Sequence, residues 1–135
     1  MTALGRNDYV AAGRVFGPLA ERGDDRAQAM LGYMFANGRG VPQNYIEAAN
    51  WYRRASEQGN PTAQYNLGLI YDKGQGVTQD YVEAFKWLDL AVGRASGRAR
   101  EDWTRIRDAV ASKLTLVQLT EGQRRALEWR PLRER

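Results

Sequence analysis

The pairs Gly38-x-Gly40 and Gly74-x-Gly76 are the residues whose type and spacing first suggest chemistry. Glycines two apart can open a loop whose backbone N–H groups close around a phosphate, if a strand leads in and a helix N-terminus faces the anion. Here a helical pattern leads into each turn, and no Lys-Ser or Lys-Thr pair follows. The next helix also carries its own start signal. Asn44 with Glu47, and Asp80 with Glu83, fit the Asn/Asp-x-x-Glu form of a capping box. The turns are therefore expected to be joints between helices, with Pro42 or Thr78 discouraging continuation of the helix before them.

Other chemistry is narrowed by missing residue types. The 135 residues include no Cys and no His, so thiolate nucleophiles, disulfides, imidazole bases and the usual nitrogen and sulfur metal ligands are excluded. What remains is carboxylates, three lysines and hydroxyls. Asp24 and Asp25 are adjacent and would point apart, in a turn where Asp is ordinary. Ser56, Ser96 and Ser112 have no imidazole to activate them, and a Ser-Lys site would need a spatial arrangement. The expectation is a non-enzyme with no cofactor and no metal.

Composition sets the remaining bounds. An apolar fraction of 43% and a charged fraction of 27% are those of a globular protein, and the length is that of one domain, 1–135. The longest charge-free apolar stretch, Ala27 to Gly38, is too short to cross a bilayer, so no membrane span is expected. The opening "MTALGRNDYV" lacks the apolar core of a secretory signal. Net charge is +4, and its distribution is uneven: residues 1–91 hold 9 Lys and Arg against 10 Asp and Glu, residues 92–135 hold 11 against 6. A surplus spread over two helices and a tail reads first as a solvated face. The alternative is electrostatic binding of nucleic acid or an anionic surface by Arg94, Arg98, Arg100, Arg105, Arg107, Arg124 and Arg125, which would weaken steeply with salt.

The elements that must position any site come from a repeat. Residues 27–62 laid over 63–98 without a gap agree at thirteen positions, a period of 36. Among them are Ala27/Ala63, Leu31/Leu67, Gly32/Gly68, both turn glycines, Tyr45/Tyr81, Ala48/Ala84 and Trp51/Trp87. One step back, Tyr9 pairs with Tyr45 and Gly23 with Gly59, so residues 8–26 are the second half of a further unit. Each unit predicts two helices. The first carries Ala27, Leu31 and Phe35 on one stripe; the second carries Ala48, Trp51, Tyr52 and Ala55, matched upstream by Ala12, Val15, Phe16 and Leu19. A glycine inside a helix costs about 1 kcal/mol against alanine, so Gly32 and Gly68 imply close helix approach. Trp51, Tyr52, Trp87, Phe35 and Tyr71 are expected to be core.

A lone helix pair leaves an apolar face uncovered and is stable only when stacked. The expectation is all-α, an α/α superhelical solenoid of antiparallel helix pairs, closed by C-terminal capping helices over 99–130. Trp103, Ile106, Val110 and Leu114 continue a stripe. "TLVQ" at 115–118 is a capping box for a last helix carrying Leu119, Ala126 and Trp129, and Pro131 stops it, leaving "LRER" as a frayed tail.

The succession Ala-x-x-x-Leu-Gly, Gly-x-Gly-Val-x-Gln-Asn/Asp-Tyr and Glu-Ala-x-x-Trp, with a closing Ala, resembles the Sel-one-like repeat family, relatives of the tetratricopeptide repeats. The resemblance covers residues 8–98, and the segment "LTLVQLTEGQRRALEWRP" looks like the closing helix of bacterial members. It departs at the start, where the first unit lacks its first helix and Val15 stands for the tryptophan. It implies a superhelix that binds or scaffolds other proteins, in a bacterial cytoplasm or periplasm, with the first helices lining the concave face. On that face helical spacing places Tyr33, Asn37, Tyr65, Leu69, Lys73 and Arg105 as a groove for a protein or peptide partner; the competing reading packs them against the adjacent helix. A hydrolase acting on cell-wall-related substrates is the other activity the resemblance brings with it. The unpaired second helix near Asp8 leaves an apolar repeat edge, where a second copy could form a homodimer.

Overall fold

Each repeat becomes a helix pair because its two turn types stop one helix and start the next. The structure, a computed structural model, describes residues 6–134. Among them are seven helices and no strand: α1 (Arg6–Glu21), α2 (Asp25–Asn37), α3 (Tyr45–Glu57), α4 (Pro61–Lys73), α5 (Tyr81–Arg94), α6 (Gly97–Ala111) and α7 (Leu116–Glu128). Consecutive helices from α1 to α6 pack on one another, and α7 packs on α5. The first helices α2, α4 and α6 form one layer, the second helices α1, α3, α5 and α7 the other. The fold is an α/α solenoid.

Gly38 and Gly74 end α2 and α4 in the left-handed conformation, at φ 64° and 69°. The chain then turns back so that the Asn44 N–H donates to the Phe35 carbonyl at 2.8 Å, and the Asp80 N–H to Tyr71 at 3.0 Å. That bond alters the expected capping boxes. The Asn44 side chain accepts from the Glu47 N–H, and Asp80 from Val82 and Glu83. The reciprocal half is not made, because the cap residue's own N–H is already spent on the preceding helix. Glu83 turns instead to Arg125 and Lys86. At Thr115 both halves of the box form.

The inter-unit turns use a different device. Asp24 and Asn60 cap α2 and α4 by accepting from Ala27 and Ala63, and Pro61 occupies the first helical position of α4, where a missing N–H costs nothing. Asp25 is held apart from Asp24 by Asn60, which donates to it.

Small residues set the distance between layers. A Cβ on Gly32 would stand 2.7 Å from the Tyr52 ring, and one on Gly68 would stand 2.7 Å from Leu88. Ala48, Ala55, Ala63, Ala84 and Ala91 are wholly buried around Leu67, Leu88 and Trp87. Of the aromatics expected in the core, Tyr52 and Trp87 are buried, whereas Phe35, Trp51 and Tyr71 are half-buried. Arg54 lies over the Trp51 ring, and Arg53 donates to the Tyr71 hydroxyl. The α1 stripe is also less covered than its counterparts. Val15 is 59% and Leu19 38% exposed, because no first helix packs there among the described residues.

The tail departs most from expectation. Residues 129–134 are not frayed. They run back across the row of inter-unit turns, from the end of α5 past the end of α3 to the α1–α2 turn. Arg94 lies over the Trp129 ring, the Leu132 N–H donates to the Glu57 carbonyl, and Glu134 pairs with Arg54.

Candidate functional site

The first-helix layer carries a shallow groove between α2 and α4. Two adjoining depressions, of about 310 and 220 Å³, share Tyr52 and Asn66 in their lining. The first adds Arg26, Met30, Tyr33 and Thr62; the second adds Asn37, Tyr45, Leu69, Lys73 and Gln75. No carboxylate lines either, and each contributes one cation.

Helical geometry fixes the polar groups. Asn37 donates its Nδ2 to the Tyr33 carbonyl one turn back, and Asn66 donates to Thr62 in the same way, both at 2.9 Å. With each amide nitrogen turned to its own helix, each Oδ1 is left to accept. Tyr52 reaches the groove from the second layer, across Gly32. Burial pushes its hydroxyl pKa up, so it remains a neutral phenol that can donate. The surface is one of aromatic edges, amide acceptors and two cations, able to hold an extended chain by backbone hydrogen bonds and an acidic group by charge.

Four of the six residues marked from the sequence, Tyr33, Asn37, Leu69 and Lys73, lie along these depressions. Tyr65 and Arg105 do not line them. The Tyr65 ring stacks on Trp103 of α6, centroids 4.7 Å apart and planes 10° apart. Burial, with the Asp102 charge second, raises its hydroxyl pKa. Arg105 is paired to Asp102 within α6. Tyr65 therefore packs against the adjacent helix, as the competing reading had it. Sequence reasoning missed Asn66, Arg26 and Tyr52. Asn66 stands three residues before Leu69 and seven before Lys73, a spacing that puts it on their face. Tyr52 gave no such signal, since its stripe pointed to the core.

The basic C-terminal third is largely neutralised within the chain. Arg107 pairs with Asp89 and Asp108, Arg124 with Glu121 and Glu128, and Arg125 with Glu83 and Glu121. Glu121, accepting from Arg124 and then Arg125, has its carboxyl held down at about 2. Arg94 is spent on Trp129. Of the seven arginines that could form an anionic-surface site, Arg98 and Arg100 alone lack a partner among the described residues. Among the same residues no serine is hydrogen-bonded to a lysine, no cluster of acidic side chains could hold a metal, and no helix is long and apolar enough to cross a membrane.

Comparison with known proteins gives the chain relatives. A family model described as Sel1 repeat matches residues 25–60 and 61–92. The chain is similar to a protective antigen of uropathogenic Escherichia coli strains, whose crystal structure displays an SLR fold: 34% identity, TM-score 0.85, over 93% of this chain and 26% of that one. The chain thus spans about a quarter of the antigen's length. It is also similar to a Sel1 repeat protein from Oxalobacter formigenes, at 41% identity and TM-score 0.63, over 68% of this chain and 69% of that one. Curated proteins gave no significant match.

Proposed function

The chain belongs to the Sel1 repeat family, whose repeats generally mediate protein–protein interaction and are typically non-enzymatic scaffolds, and from that premise we propose that the α2–α4 groove binds an extended peptide segment of a partner protein. Within this reading, 1–135 is one repeat domain, with units 27–62 and 63–98 between a partial unit, 8–26, and closing helices over 99–130. Tyr33, Asn37, Leu69 and Lys73 make the contacts, joined by Asn66 and Tyr52. Tyr65 acts one step away, by fixing α4 against α6 through Trp103, and Arg105, paired within α6, takes no part.

The observation that carries this reading is the pair of depressions joined through Tyr52 and Asn66. It is a continuous run of aromatic, amide and cationic groups with no carboxylate, on the layer that forms the concave face in the family. Lys73 and Arg26 favour a segment with acidic residues. The test is selection of binders from a displayed peptide library, followed by titration of a selected peptide against the native chain and a Tyr33→Ala/Leu69→Ala/Lys73→Glu variant. The expected result is enrichment of acidic sequences and at least about a tenfold loss of affinity in the variant, about 1.4 kcal/mol, with unchanged helical circular dichroism. Selected peptides that bind both chains equally would sink the assignment.

A further inference from the structure

The end of α3 and the turn before α2 hold residues 129–134 by contacts that amount to a built seat. Arg54 donates to Glu134 from Nη2 to Oε1 at 2.7 Å and from Nε to Oε2 at 3.2 Å, and Gln28 Nε2 donates to Oε1 at 3.0 Å. Gln28 is wholly buried. Its Nε2 also donates to the Ala20 carbonyl and its Oε1 accepts from Gln58, so the amide is oriented independently of the carboxylate. Two backbone N–H groups, two residues apart, point to the same side as in an extended strand. That of Leu132 donates to the Glu57 carbonyl at 2.7 Å, that of Glu134 to Gln58 Oε1 at 3.2 Å. The Trp129 indole donates to Glu57 Oε1, and its ring stands edge-on to Trp87, centroids 6.4 Å apart. Gly23, at φ +100°, makes room, since a Cβ there would lie 2.7 Å from the Glu134 Cβ.

The repeat separates this seat from the framework. In the next unit the counterpart of Arg54 is Leu90 and that of Gln58 is Arg94. Gln64, the counterpart of Gln28, is equally buried and donates to Ser56 as Gln28 does to Ala20, yet its Oε1 has no partner among the described residues. Arg54, Glu57 and Gln58, which all touch the strap, are replaced in the next unit by Leu90, Gly93 and Arg94, so the carboxylate's partners are not repeated there. Leu132 is 68% exposed, so its side chain is not what is recognised. The recognised features are the backbone, the indole and the carboxylate.

We propose that this row of turns is a second peptide-binding site, separate from the α2–α4 groove. It reads an extended segment with a tryptophan five residues before a glutamate, and the chain's own residues 129–134 occupy it in cis. A partner segment of the same chemistry enters by displacing the strap. A short tether supplies an effective concentration of about 1 mM, so the native chain resists a free competitor, and a chain whose strap has lost its carboxylate accepts one.

The test uses the full chain, native and Glu134→Lys, and a fluorescently labelled peptide with the sequence of residues 128–135, followed by anisotropy up to about 1 mM peptide. Expected is binding to E134K at least about fivefold tighter than to the native chain. That binding should fall at least about tenfold when Arg54→Glu is added, or when the peptide carries glutamine in place of its Glu134. The peptide arm needs no further change in the protein, so a misfolded double variant does not obscure the result. Equal affinity for native and E134K chains, no saturation by about 1 mM, or indifference to the peptide's glutamate would each overturn the proposal.

Discussion

A Cβ placed on Gly76 would stand 2.5 Å from the carbonyl oxygen of Tyr45, so the second glycine of the turn rests directly on the first peptide unit of the preceding second helix. Gly40 rests likewise on the Tyr9 carbonyl of α1, where a Cβ would stand 2.8 Å from the oxygen. The turn glycines thus have separate duties. Gly38 and Gly74 end a helix in the left-handed conformation; Gly40 and Gly76 set how closely one unit stacks on the next.

Gly76→Ala combines a backbone clash with a φ of +74° that a side chain rarely adopts. It is expected to lower stability by about 2–4 kcal/mol. Gly93→Ala, in the last turn of α5 with nothing within 4 Å of the new methyl, should do the opposite, gaining up to about 1 kcal/mol of helix propensity. Urea denaturation of the two variants checks both signs.

The 36-residue period made the helix pairs legible, because glycine and alanine recur where layers touch. The groove was half legible. Helical spacing put Tyr33, Asn37, Leu69 and Lys73 on one face, but spacing within α4 cannot say that Trp103, thirty-eight residues after Tyr65, will cover it. The strap was illegible for a related reason. Glu134 lies 106 residues from Gln28 and 80 from Arg54, and apart from Gln28 its partners Arg54 and Gln58 are departures from the repeat, which a search for identities passes over. The half-formed caps at Asn44 and Asp80 were hidden because the competing acceptor belongs to the previous helix.

Tyr33 and Tyr65 should separate when truncated. Tyr65→Ala removes a stacked, half-buried ring and is expected to cost about 1–3 kcal/mol of stability, with groove affinity nearly intact. Tyr33→Ala removes a ring that is 39% exposed, so it should change stability by less than about 1 kcal/mol and weaken binding of a selected peptide. Thermal melts run beside titrations show whether the two effects exchange places.

The strap should respond to acid. Arg54, donating to Glu134, and Gln28 in support hold its carboxyl below the ordinary value of 4.5. A depressed folded-state value means that the seat is fully favourable above about 4.5 and is lost as pH falls through that lower value. The Leu132 and Glu134 amide resonances should therefore be steady from pH 7 to about 5 and move only below about 4.5. Glu134→Gln should abolish that movement. Movement that persists unchanged in the glutamine variant would assign the effect elsewhere.

The closing helix should open before the middle of the solenoid. In a stacked array each helix is stabilised by its neighbours, so an end element held on one side has the lowest opening free energy. α7 packs chiefly on α5, and Leu116, Val117 and Leu127 are each nearly 80% exposed. It approaches α5 tightly at Gly122, where a Cβ would stand 2.8 Å from the Phe85 ring, and is tied to it by Arg125 to Glu83 at 2.7 Å. Gly122→Leu drives a branched side chain into that contact and is expected to lift the helix off α5. Because Trp129 and the strap follow directly from α7, they should loosen with it. Hydrogen exchange should then quicken by about tenfold or more over 116–134, while α2, α3 and α4 keep their protection, since none of their packing against one another passes through α7. Uniform loss of protection would show instead that the solenoid opens as a single unit.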